Sequence, residues 1–364
     1  MAGGYLSLLN TFQYGFYLAC SWLWCLGGFF PLILGRDYGW PALAAFTIFN
    51  VGGAIAMGFY FQNRVKQKAF EQKHKPAVSL FSYITIAYQI FLVVWLGLVI
   101  DQPLLIVAVL AIAYGLYLSK GLITYWALLF YLLSIGLFVS FMGNDLPPID
   151  ISAKGYWPHA LLPLAIGFIF SPYLDITFHR AYRDSDHPKR SFMLGFGVLF
   201  LSLLAFVFYY ANSLGDIFFE GAIPADIIYP VIGFLVLQIA FTISAHCAEL
   251  CTQQYLKPSI LAVCIGLISL VSLLLLMLID GKSIPFINSS IEETIYKSFL
   301  FFYSLVFPLY LLLGKSRPTF IWVLAICTPA YSLGFLVGEE YSFGLTIGVV
   351  IMSLVTFCKL RTGR

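Results

Sequence analysis

The sequence predicts an all-α membrane protein of about twelve transmembrane helices, and three observations predict it. Of its residues 61% are hydrophobic and only 10% are charged, whereas a soluble domain carries roughly 25% charged residues. Apolar runs of about 20 residues, enough to cross a bilayer as a helix, recur from end to end. The basic residues fall in alternate loops, as the positive-inside rule requires.

In chain order the expected spans are 12–34, 40–62, 78–99, 102–118, 121–142, 160–180, 191–212, 227–249, 258–279, 294–314, 318–337 and 341–358. No Lys or Arg precedes the first run, and it is too long for a signal-peptide core, so it is expected to be a retained span. The longest polar stretch, Asn63–Pro76, reads as a loop. With the N-terminus inside, all of the 20 Lys and Arg except Arg36, Lys154, Lys282 and Lys297 lie on the inner side. Most acidic residues, including Glu292, Glu293, Glu339 and Glu340, lie on the outer side. Both termini are therefore expected in the cytoplasm, with the chain in the plasma membrane, the inner membrane of a bacterium. The seven cysteines sit within or beside apolar runs, which argues for small buried side chains and against a disulfide framework.

The chain reads as one integral membrane domain. Five spans followed by five of opposite orientation make residues 12–314 an inverted-repeat core, with two additional helices over 315–364. Spans one and six are then counterparts, and both are interrupted. Span one reads CSWLWCLGGFFPLIL, with Gly27, Gly28 and Pro31 at its middle; span six reads AIGFIFSPYLDITFHRAY, with Ser171-Pro172 before Asp175. Glycine weakens a helix, and proline removes a backbone donor and clashes with the preceding turn. Backbone groups freed at membrane depth must meet protein, water or ligand. Paired breaks in two halves point to a substrate site. A pair of packing kinks is the structural alternative.

Two carboxylates lie inside apolar runs, Asp175 and Glu249. Such groups face cavities or partners because burying the charge costs roughly 2.5–3.5 kcal/mol at mid-membrane. His179 and Arg180 follow Asp175 at helical spacing, so an intrahelical pair competes with a ligand role. Glu249, near the inner boundary, reads as snorkelling or pairing at a gate. His246, one turn earlier, reads as a hydrogen-bonded structural histidine or a proton relay. No GxSxG, HExxH or phosphate-binding loop is present, so no enzyme and no cofactor is expected. The basic inner loops follow from topology and need no nucleic acid.

Three stretches resemble the sodium:solute symporter family, within it the urea-transporter-like branch. They are SWLWCLGGFFPLILGRDYGWPALAAFTIFNVGGAIAMG across spans one and two, Phe178-His179-Arg180-Ala181 at the end of span six, and SAHCAEL (Ser244–Leu250) in span eight. The resemblance implies a LeuT-type fold of two inverted five-helix bundles, here followed by two helices and without the family's usual extra N-terminal helix. It also implies sodium held by oxygens at Ala19, Trp22, Phe241 and Ser244. The second hydroxyl position is Ala245, which removes one expected ligand. Thr242 lies nearby, but its helical spacing turns it elsewhere.

Two readings stay open. The first is a secondary transporter moving a small polar solute by alternating access, with cation coupling. Its lining groups would be Trp22, Trp24, Gly27 and Gly28 from span one, Gln89 and Tyr88 from span three, and Ser171, Tyr173 and Asp175 from span six. Trp24 and Tyr173 are equally packing aromatics. The second is a non-transporting symporter-like module, a sensor domain or a subunit bound to a partner membrane protein through its aromatic surface.

Overall fold

The computed structural model describes residues 2–23, 29–141, 152, 156–209, 228–279, 291–314 and 317–362, and no strand occurs among them. In chain order the helices are α1 (Ala2–Trp22), α2 (Phe29–Tyr38), α3 (Trp40–Tyr60), α4 (Arg64–Lys73), α5 (Lys75–Val99), α6 (Leu104–Leu118), α7 (Ile123–Phe141) and α8 (Trp157–Phe170). They continue with α9 (Ile176–Asp184), α10 (Pro188–Leu194), α11 (Leu201–Tyr209), α12 (Ile228–Thr252), α13 (Pro258–Ile279), α14 (Ile291–Phe301), α15 (Phe307–Leu313), α16 (Arg317–Ser332) and α17 (Phe343–Thr362). Among the described residues, nine helices are long and apolar enough to cross a membrane, and Leu104–Leu118 and Phe343–Lys359 are shorter apolar helices.

The first expected span consists of two helices, α1 and α2, on either side of residues 24–28. Trp24, Gly27 and Gly28 lie outside the described residues. The sixth expected span is broken within the described residues. Helix α8 ends at Phe170, Ser171–Leu174 form a 3-10 turn, and Asp175 is extended (φ −77, ψ 117) before α9 begins. Pro172 lacks the amide that would continue the ladder of α8.

The stretch expected as a loop, Asn63–Pro76, is instead mostly the helix α4. The Asn63 side chain caps it by accepting from the Lys66 N–H at 2.9 Å. Asn is among the preferred capping residues, worth about 1 kcal/mol. Polar composition hid this helix, whose buried face carries Gln67 and Glu71 one turn apart.

The chain divides into two compact units. One comprises Met1–Leu32, Ala54–Ile149 and Asp175–Leu278; the other comprises Ile33–Gly53, Asp150–Leu174 and Ile279–Arg364. The chain thus passes from one unit to the other between Leu174 and Asp175, at the break.

In the first unit α1 packs on α7, α9, α10 and α12, and α12 packs also on α5 and α6. Helices in lipid gain little from the hydrophobic effect and depend on close packing, which small residues permit. A Cβ on Gly195 would lie 2.9 Å from the Gly15 carbonyl oxygen, so α1 and the start of the π turn Gly195–Phe200 meet backbone to backbone. Aromatic rings fill the space around α9, with Phe178 5.0 Å from Phe196 and 4.6 Å from Trp22 between ring centroids.

In the second unit α8 packs on α15, on α17 and on the π turn Phe302–Val306. Pro308 sits four residues after Ser304 of that turn, and its ring crowds the carbonyl there. A Cβ on Gly167 would lie 2.9 Å from the Tyr303 carbonyl oxygen.

Candidate functional site

The interior of the first unit holds a chain of buried polar groups, positioned by the break before α9. Asp175 is the N-cap of α9. Its Oδ1 accepts from the Thr177 N–H at 2.7 Å and from the Thr177 hydroxyl at 2.6 Å. The Thr177 hydroxyl oxygen also lies 3.1 Å from Ser21 Oγ on the last turn of α1. Asp175 Oδ2 lies 3.7 Å from Nε2 of His246 on α12. His246 Nδ1 in turn meets Ser82 Oγ on α5 at 3.1 Å. Ser82 also donates to the Val78 carbonyl, so both contacts are fully used when Nδ1 carries a proton. Asp175 and His246 are wholly buried.

The intrahelical pair weighed against a ligand role for Asp175 is formed with neither His179 nor Arg180. As a cap, Asp175 stands outside the helical spacing and folds back over the N-terminus of α9. His179 Nδ1 instead meets Gln67 Nε2 of α4 at 2.8 Å. Arg180 and Arg183 both donate to Glu249 of α12 at 3.0 Å. Glu249 therefore pairs rather than snorkels.

Around these pairs the unit is laced shut. Gln67 and the Tyr255 hydroxyl donate to Glu71. Tyr182 donates to the Phe61 carbonyl, and Ser191 to the Thr11 carbonyl. Burial pulls the Arg183 guanidinium down, but its bonds to Asp184 and Glu249 hold it above its ordinary value. Burial and the Glu71 carboxylate push the Tyr255 phenol up, so it remains a donor.

The other expected site residues are placed as follows. Trp22 is buried, with its ring 6.0 Å from Phe81 and stacked on it. Gln89 is fully buried on α5, and neither atom of its amide has a hydrogen-bond partner among the described residues. An unmet buried donor or acceptor costs about 1–3 kcal/mol. Gln89 lies seven residues after Ser82, on the same helical face. Ser171 and Tyr173 belong to the second unit, where the Ser171 hydroxyl is buried with no hydrogen-bond partner among the described residues and Tyr173 is half-buried.

Ala19 and Phe241 are fully buried. Thr242, expected to point elsewhere, is the α12 hydroxyl that reaches α1, donating to the Cys20 carbonyl at 3.3 Å. It lies on the stripe of α12 that packs against α1. Ser244 instead lines a cavity walled by α6, α12 and α13. Ala245 offers no hydroxyl and Ser244 lines that cavity, so the two hydroxyls of the expected sodium set are not brought together here. Among the described residues no cluster of three or more His, Cys, Asp or Glu could hold a metal ion.

The second unit carries its own charge cluster. Lys297, expected on the outer side at the start of the tenth span, is buried within α14, with Nζ 2.7 Å from Asp37 and 2.9 Å from Glu293. Arg36 completes it through Asp37 at 2.8 Å and Glu293. Two cations and two anions balance, which is how charge is tolerated there. Sequence reasoning missed Ser82, Thr177, Gln67, Glu71 and Tyr255. The i,i+4 spacing of Gln67 and Glu71 was the one local signal.

The geometry defines an all-helical, membrane-type chain with a polar thread through its first unit. No family model, curated protein or solved structure matches the chain.

Proposed function

We propose that the chain is a secondary transporter for a small polar solute, built on a LeuT-type inverted repeat in which α8 and α9 form the counterpart of α1 and α2. The observation that carries this reading is the buried Asp175 cap of α9 together with the buried, unpartnered Gln89 amide of the same unit. A buried carboxyl cap and an amide with unmet donor and acceptor are costly in a membrane helix bundle unless they serve a polar guest. The solute would take hydrogen bonds from polar groups of the first unit, the Gln89 amide and Asp175. No step is routed through sodium, because the oxygen set at Ala19, Trp22, Phe241 and Ser244 lacks the hydroxyl that Ala245 replaces.

The test is uptake of candidate polar solutes into proteoliposomes, with and without a sodium gradient. Asp175→Asn is the informative variant, because Asn caps a helix as well as Asp does. The expected outcome is a folded protein with uptake reduced about tenfold or more, and a similar loss for Gln89→Leu. Sodium-dependent uptake abolished by Ser244→Ala would reinstate the sodium site. Absence of uptake for every solute, with a stoichiometric membrane partner co-purifying, would sink transport in favour of a non-transporting module.

A further inference from the structure

Helix α13 stands apart from its unit. It is the most apolar of the expected crossings, yet only 17% of its best window is buried. Val263, Leu267, Val271 and Met277 are among the residues it exposes. Two apolar grooves flank it and share Leu261 and Ile265. The larger, ≈ 350 Å³, lies between α6, α12 and the first turns of α13, and Tyr114, Tyr117 and Ala262 line it. The other, ≈ 320 Å³, runs along α5 past Tyr83 and Ile86.

The larger groove ends at two cations. Lys257 immediately precedes Pro258 on its wall, and Lys120 Nζ sits 5.5 Å from the centroid of the Tyr117 ring. Both lysines are exposed, and neither 119–122 nor 253–260 contains an acidic residue. Among the described residues no carboxylate pairs with either lysine. An apolar slot beside an exposed apolar helix, with one lysine over Tyr117 and another next to Pro258 of its wall, matches one class of ligand in charge and in polarity. We propose that an anionic phospholipid of the basic leaflet occupies this groove, one acyl chain lying between α6 and α13 and the phosphate held by Lys120 and Lys257. Basic pockets between helices on that side of a membrane select such headgroups.

The experiment uses the full chain, delipidated in detergent. Phosphatidylglycerol and phosphatidylcholine of identical chains are compared by the rise in Tm and by lipid retained in native mass spectrometry. Phosphatidylglycerol is expected to be retained and to raise Tm more than phosphatidylcholine, while glycerol phosphate alone does neither. Lys120→Gln with Lys257→Gln should weaken phosphatidylglycerol binding roughly 30-fold, at the usual contribution of each surface lysine. Ala262→Trp, filling the groove at an exposed position, should abolish retention of both lipids. Equal responses to the two lipids, or an undiminished response in the double lysine variant, would overturn the proposal. A shift produced by glycerol phosphate alone would also overturn it, since a free phosphate would then suffice.

Discussion

At the scale of single residues, the first unit depends on Glu249, both of whose carboxylate oxygens are hydrogen-bonded. Glu249 is 2% exposed and receives two guanidinium groups. Hydrogen bonds to charged groups contribute about 1.5–3 kcal/mol each when buried, and breaking one side leaves the other charge stranded. Arg180 and Arg183 are themselves 13% and 28% exposed, so solvent screens part of that loss. Glu249→Gln is therefore expected to cost about 1–3 kcal/mol, read as a lower Tm in detergent. Adding Arg183→Gln should recover part of it, because one stranded cation is then gone. If Glu249→Gln leaves Tm unchanged, the pairs are geometric only. Asp175 behaves differently. Its capping role is replaceable by Asn and its carboxyl group is not, which is why one substitution separates folding from the proposed uptake.

At the scale of elements, two adjacent glycines of α3 make opposite predictions. A Cβ on Gly53 would lie 2.6 Å from the Phe168 carbonyl oxygen of α8, whereas a Cβ on Gly52 would meet nothing within 4 Å. The obstacle at Gly53 is backbone and cannot rotate away. Gly53→Ala should therefore lower the yield of folded protein and its Tm. Gly52→Ala should be neutral or stabilising by up to about 1 kcal/mol, the helix preference of Ala over Gly. The comparison is internal to one helix, and equal Tm values for the two variants would contradict the close approach. Helix α4 teaches a related lesson. Its residues are polar because they lie outside any apolar run, and its order comes from the Asn63 cap and from Gln67 and Glu71 reaching His179 and Tyr255.

At the scale of the whole molecule, the charge pattern predicts an orientation that labelling can check. In a cysteine-free background, Lys68→Cys and Glu340→Cys place thiols on α4 and just before α17, both exposed. A membrane-impermeant maleimide applied to intact cells should label position 340 and leave position 68 unlabelled until the cells are opened. The reverse pattern would invert the topology and move the lipid site to the opposite leaflet.

The sequence alone determined the membrane class, most of the long apolar helices and the interruption before Asp175. These follow from composition and from local rules about proline, glycine and Lys placement, which act over a few residues. The tertiary structure alone decided the partners. His246 on α12, not the helical neighbours His179 or Arg180, stands opposite Asp175; Glu249 gathers two arginines from 66 and 69 positions away. Thr242 and Ser244 proved to serve different faces of α12, the first toward α1 and the second toward the cavity beside α13. Periodicity ranks the faces of a helix but does not say which neighbour each will meet. That choice is made by packing between segments far apart in the chain, where a buried polar group settles wherever its hydrogen bonds are best met.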